Sequence, residues 1–389
     1  MQTRIFQRTL VLAALLISAG TAGATDVLTT LDAYAARQAD VGRQLWQHPE
    51  LGYLEQASSE LLQQELREAG FRIESGIAGM PTAFVASYGT RGAGPVIAVL
   101  AEMDALPGMA QAAEPTRTPI AGQDAGQACG HNLFGAASVG AARAIAAWLR
   151  DSGTAGEVRL YGTPAEEGGS GKVYMARAGL FKDVDAVLHW HPGSRNSAAQ
   201  GTSLANISGK FRFHGVAAHA ASAPDRGRSA LDGVEALNHM ANLLREHVPD
   251  GTRIHYIVSN GGSAPNVVPD FAEAYYYVRH TDPVVVRAVF ERLQLAAQGA
   301  AMGTGTTVAF EQTGGVFSLL PNDTLGRVMQ ASLQRVGGVQ YDTAERAFAA
   351  QLQKSLAAPR DLAEAMQLQA YRDDRRGTAS TDVGDVSWN

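Results

Sequence analysis

The sequence predicts an α/β protein in two parts. One is a mostly parallel sheet with helices on both faces; the other is an inserted α+β sandwich of ferredoxin-like type. Three observations predict this. Apolar runs such as "VIAVLAE" and "EVRLYGT" alternate with helical stretches, as strands covered on both faces do. From about 202 to 312 the order becomes β-α-β-β-α-β, the split pattern of ferredoxin-like domains. The 389 residues are 46% hydrophobic and 18% charged, enough for two cores and unlike a disordered chain.

The first 24 residues read as an export leader. "MQTRIFQR" carries two arginines, "TLVLAALLISAG" is apolar but short, and Ala22 and Ala24 form an A-x-A cleavage pattern. Cleavage after Ala24 implies an exported protein, periplasmic in a Gram-negative cell; the alternative is an uncleaved anchor. No later run is apolar enough to span a bilayer, so no membrane contact is expected after cleavage. A net charge of −6 offers no basic face for nucleic acid.

Residues 25–201 are expected to form the first part of the catalytic domain. Its helices are read in "LTTLDAYAARQADVGRQLWQHPE", ended by His48-Pro49, and in "EQASSELLQQELREAG", closed by Gly70. "PTAFVASYG" and "PVIAVLAEMDAL" follow as strands, then the small-residue helix "NLFGAASVGAARAIAAWLRDSG", the strand "EVRLYGT", the helix "YMARAGLF" and the short strand in "DAVLHWHPG". Residues 202–312 form the inserted domain. Residues 313–389 return to the catalytic domain, with helices in "NDTLGRVMQASLQRVG" and "RDLAEAMQLQAYRDD".

Potential metal ligands gather at the ends of predicted strands or just beyond, where open α/β sheets build their sites. Cys129-Gly130-His131 precedes a helix, Glu166-Glu167 follows "EVRLYGT", and His189 with His191 follows "DAVL". Glu102 and Asp104 close another strand. Taken singly, each has an ordinary reading. A lone cysteine is usually a small buried residue, paired glutamates are usually solvated, and His189 can be a core histidine. Cys129 is the only cysteine, so nucleophile, intermolecular disulfide, metal ligand and buried residue all stand open. Placement at successive strand ends favours a metal site. Thiolate with imidazole suits zinc and other late divalent ions, and a carboxylate beside a metal-bound water is the base that hydrolysis needs.

In order, "HPELGYLE", "AEMDALPG", "ACGHNL", "TPAEEGG" and "LHWHPG" resemble the metal-dependent aminoacylase, hippuricase and auxin-conjugate amidohydrolase family over nearly the whole mature chain. The resemblance implies a two-metal catalytic domain, with manganese or zinc, and an inserted lid that also forms a homodimer or a heterodimer with a related subunit. It implies Cys129 bridging the metals, His131, Glu167 and His189 as further ligands, Glu166 as general base, and Asp104 as a carboxylate behind them. In the lid it implies His219 polarising the scissile carbonyl, and Asn266 and Arg279 holding a substrate carboxylate. The implied substrates are small N-acyl or N-aroyl amino acids or dipeptide-like amides.

The segment "GMAQAAEPTRTPIAGQDAGQ" is longer than the auxin-conjugate branch carries and is expected to reshape the substrate mouth. The family's last histidine ligand comes from a segment after "STDVGDVSW", and this sequence ends at Asn389. The expectations are therefore two: a metal-dependent amidohydrolase, or a non-catalytic subunit active only with a partner. A third, ranked below them, is a thiol amidase with Cys129 as nucleophile.

Overall fold

The computed structural model describes residues 23–389, so the leader expected over 1–24 lies outside the described residues except for its last two. The chain forms two compact units. One runs to Asn196 and takes up Val339–Gln367; the other comprises Ser197–Gly338 and Leu368–Asn389. No helix among the described residues is long and apolar enough to cross a membrane.

The first unit opens with helices α1 (Gly23–Gln47) and α2 (Gln56–Glu68). Its sheet has strands β1 (Arg72–Ser75), β2 (Phe84–Gly89), β3 (Val96–Glu102), β4 (Glu157–Thr163) and β5 (Ala186–Leu188), in the order β1-β2-β4-β3-β5. The expected parallel pairing holds for β4, β3 and β5, whereas β1–β2 and β2–β4 are antiparallel, so the sheet is mixed. The strand β1 carries no apolar run, which is why sequence reading passes over it: its burial pattern is almost wholly exposed. Helix α3 (His131–Ser152) packs with α1 and α2 on one face, where Val41, Leu45, Leu62, Leu66, Phe84 and Leu160 share a core. Leu62 and Leu66 are fully buried, worth about 1.5–3 kcal/mol each. The small residues of α3 permit its close approach: a Cβ on Gly135 would stand 3.0 Å from the Glu102 carbonyl oxygen. On the other face Tyr161 packs on Phe181 at 4.8 Å, beyond helix α4 (Gly171–Arg177).

That face also holds a charged cluster. Arg159 is 7% exposed and donates to Asp183 at 2.8 and 2.9 Å and to Glu157 at 3.1 and 3.3 Å. The Arg159 fork pulls the Asp183 carboxyl down to about 2. A folded-state pKa below the unfolded one stabilises at neutral pH, and that stability is lost as pH falls from about 4 towards 2. Asp183 is half-exposed, so the effect is modest. Asp183→Asn is expected to melt a few degrees below wild type at pH 7, with the gap closing by pH 3. Melting curves at both pH values check this; an equal gap at both would remove the ion pair as its cause.

The second unit is built on strands β6 (Ala205–His214), β7 (Arg253–Asn260), β8 (Phe271–His280) and β9 (Thr307–Val316), all antiparallel, in the order β7-β8-β6-β9. With helices α5 (Ala230–Leu244) and α6 (Pro283–Thr304) between them, this is the ferredoxin-like order predicted from sequence. Along β8 the alternation is strict: Ala272, Ala274, Tyr276 and Val278 enter the core with Phe211, Phe213, Leu237 and Leu293, which places Tyr275, Tyr277 and Arg279 on the opposite face. Ser229 caps α5 and Asp282 caps α6, whose first residue is Pro283. The later chain adds α7 (Asp323–Val336), α8 (Thr343–Gln353), α9 (Leu362–Met366) and α10 (Val383–Ser387). Helix α8, with an Asp342/Glu345 capping box, adds to the helices expected from sequence. The helix expected over "RDLAEAMQLQAYRDD" stops at Met366. Beyond it the backbone of Gln369 accepts from Gln330 and that of Arg372 from Gln200, contacts that outweigh helical propensity.

Candidate metal centre

Register brings the site residues together. In the parallel β3–β4 pair Glu102 lies opposite Thr163, and in β3–β5 Val99 lies opposite Leu188. The chains leaving these ends carry Asp104, Glu166-Glu167 and His189.

The loop before α3 is held from below. Leu106–Pro107 pairs with Ala125–Gly126 and closes the long segment between them. Gln127 then donates to the Met103 carbonyl at 3.3 Å and accepts from the Asn132 amide at 3.1 Å. Gly130 has φ 84°, a left-handed turn that delivers His131 as the first residue of α3.

The Glu166-Glu167 loop is strained and braced. Ala165, a residue with a Cβ, has φ 56°. Its amide donates at 2.8 Å to the buried Glu55 carboxylate, which also accepts from Thr82 at 2.9 Å. Burial raises the pKa of Glu55, outweighing those donors. A Cβ on Gly52 would meet Ala165 Cα at 2.9 Å, so the "HPELG" stretch is the floor on which this loop rests.

His131 is fully buried. Its Nδ1 is 3.0 Å from Asp104 Oδ1, and its Nε2 is 3.0 Å from Glu102 Oε2. Asp104 also accepts the Glu167 amide at 2.8 Å, so one carboxylate joins the C-x-H turn to the Glu-Glu loop. Burial opposes a charged His131, yet Asp104, Cys129 and Glu102 outweigh it and raise its pKa. His131 favours the Cys129 thiolate, but burial and Glu167 outweigh that and push the thiol up. Glu102 is buried, which works against its charge; Lys172, His131 and His189 hold it well below the usual carboxylate range.

Two groups place one ligand atom each within 4.8 Å of the others: Cys129, His131 and His191; and Glu102, His131 and Glu166. His189 Nε2 is 3.5 Å from Glu102 Oε1, while His191 Nε2 is 3.4 Å from Cys129 Sγ. Both histidines of "HWH" thus border the centre. Among the described residues, Glu102 Oε1 and Oε2, His131 Nε2 and His189 Nε2 are buried without a partner in hydrogen-bonding geometry. Soft sulfur, imidazole and carboxylate, with buried polar atoms left unsatisfied, fit a divalent metal. Glu102, His191 and Lys172 join the site residues expected from sequence. The Glu-x-Asp spacing and the second histidine were signals for the first two; nothing marked a buried lysine.

His219, Asn266 and Arg279 belong to the second unit. His219 pairs with Val267, and the Ala220 amide donates to the Asn266 carbonyl at 3.0 Å. His219 Nδ1 accepts from the Ala221 and Ser222 amides, both at 3.2 Å, which fixes the neutral tautomer with the proton on Nε2. Arg279 donates to Ser380 at 3.1 Å and stacks over Tyr277 at 5.3 Å, and its Nε is buried without a partner among the described residues.

Comparison with known proteins fits this architecture. Residues 205–302 match the family description "Peptidase dimerisation domain". The chain is 40% identical to one of the two p-aminobenzoyl-glutamate hydrolase subunits of Escherichia coli, over 92% of this chain and 80% of that protein. The chain belongs to the M20 peptidase family. As an M20 protein it is a hydrolase of the amidohydrolase and peptidase class. The mouse Xaa-Arg dipeptidase is 33% identical, over 76% of this chain and 67% of that one. Among solved M20 structures, the Bacillus subtilis YXEP protein, described as a dinuclear metal binding peptidase, superposes with TM-score 0.60 at 21% identity, covering 91% of this chain and 85% of that one.

Proposed function

We propose that this chain hydrolyses the amide bond of a small N-acyl or N-aroyl amino acid, an aminobenzoyl-glutamate-like or dipeptide-like substrate, at a centre of two manganese or zinc ions. The observation that carries this reading is the convergence of Cys129, His131, Glu102 and Glu166 in a chain 40% identical to part of an aminobenzoyl-glutamate hydrolase. Cys129, His131, Glu167 and His189 hold the ions, with His191 beside Cys129. When bound, the ions supply Lewis acidity and a water acidic enough to ionise near neutral pH.

Glu166 takes the proton of the attacking water and passes it to the departing amine. Asp104 keeps the His131 proton on Nδ1, so Nε2 is free as a ligand. His219 donates its Nε2 proton in a hydrogen bond to the scissile carbonyl, as its fixed tautomer permits. Asn266 and Arg279 take the substrate carboxylate, Arg279 through its planar fork. The leader directs the chain out of the cytoplasm, and the matched dimerisation domain joins it to a second copy or a related subunit.

Exhaustive chelation is expected to abolish hydrolysis of p-aminobenzoyl-glutamate and N-acyl amino acids, and manganese or zinc to restore it. Full turnover after chelation, together with inactivation by iodoacetamide, would sink the metal reading in favour of a Cys129 nucleophile.

A further inference from the structure

Lys172 is fully buried, and nothing in the mechanism above uses it. It is the second residue of α4, after the glycine-rich turn that follows Glu166-Glu167. A buried ammonium is costly unless something pairs with it. Its Nζ lies 2.7 Å from Oε1 of Glu102, itself 1% exposed.

Glu102 is shared in an informative way. Its Oε1 meets Lys172 and, at 3.5 Å, His189 Nε2; its Oε2 stands 3.0 Å from His131 Nε2. Both imidazole nitrogens belong to residues read above as metal ligands. Both face Glu102, and among the described residues neither they nor the carboxylate oxygens have a partner in hydrogen-bonding geometry. Glu102 also shares a potential ligand group with His131 and Glu166. An ion among these atoms would meet all of them at once, at the usual ~2.0–2.2 Å for nitrogen and oxygen donors.

We propose that Glu102 is a further carboxylate ligand of the metal centre, and that Lys172 is the positioning residue that holds it there. A protonated lysine has no lone pair to offer a metal. It fixes the outer oxygen of Glu102, which leaves the other turned to the ions. This inference rests on the metal-centre reading.

The test is divalent binding by the full chain, with Mn²⁺ or Zn²⁺ as the probe, read by competition with a chromophoric chelator. Glu102→Gln is expected to weaken at least one ion by tenfold or more, and Lys172→Met by about tenfold, the range of lost supporting contacts. Glu102→Gln leaves Lys172 as an unpaired buried cation, so misfolding must be separated from ligand loss. The double variant E102Q/K172M removes both charges; it is expected to melt within a few degrees of wild type and still bind at least tenfold more weakly. Wild-type affinity in that double variant would show an ordinary structural ion pair and overturn the proposal. Unchanged or tighter binding by Lys172→Met would overturn the role given to Lys172. A crystal of the metal-loaded wild type needs no variant. A Glu102 oxygen about 2.2 Å from an ion supports the proposal, and a filled centre with Glu102 well outside bonding distance overturns it. If the wild-type chain bound neither probe, the metal reading would fall and this assignment with it; wild-type binding without Glu102 sinks only the latter.

Discussion

Glu166→Gln lowers kcat for amide hydrolysis by about 10²–10⁴-fold, the range a positioned general base contributes, and leaves the bound metal in place. The glutamine side chain would keep the size and the carbonyl oxygen of the native one but could not take a proton. The loop gives Glu166 a fixed position: the left-handed Ala165 precedes it, Glu55 anchors that turn, and the Gly168 amide donates to the Glu166 carbonyl at 2.7 Å. Its carboxylate shares a cluster with His131 and Glu102, within reach of a water on the ions. The adjacent Glu167 cannot replace it, because successive side chains diverge and Glu167 turns towards Cys129. Turnover at saturating substrate and metal content by atomic emission check this. A fall of less than threefold with full metal occupancy would assign the proton transfer to another group.

Much of this site is legible in the sequence because strand ends are. "VIAVLAE", "EVRLYGT" and "DAVL" are apolar runs with acidic or imidazole residues at or just beyond their ends, and the parallel register of β3 with β4 and β5 sets those ends side by side. The β-α-β-β-α-β order of the inserted domain is legible for a similar reason: period-two and period-3.6 patterns alternate cleanly there. Three features are not legible. The antiparallel attachment of β1 and β2 depends on pairing partners that no local pattern names. The early end of α9 depends on backbone contacts made by Gln369 and Arg372 with distant residues. Lys172 reads as a surface lysine after a glycine turn, since lysines are almost never fully buried unless paired. Only folding reveals that its partner is Glu102, 70 residues earlier in the chain.

His131→Ala is expected to abolish stoichiometric divalent binding and, with it, hydrolysis. His131 is the one residue present in both potential ligand groups, so its loss strips an atom from each. Supporting residues around metal ligands cost about 10–100-fold in affinity when removed, and a ligand common to both groups must exceed that. The physical cost goes further. His131 separates Glu102 from Asp104, facing the first through Nε2 and the second through Nδ1 at 3.0 Å each. With the ring gone, two buried carboxylates would face a cavity, and Asp104 would keep only the Glu167 amide. The apo protein should therefore melt lower than wild type, and added metal should no longer raise its melting temperature, because a ligand stabilises only the state that binds it. Dialysis followed by metal analysis gives the stoichiometry, and melts with and without Mn²⁺ give the linkage. A variant that still gains stability from Mn²⁺ as wild type does would place the ions away from His131, and would move the centre out from between β3 and β4.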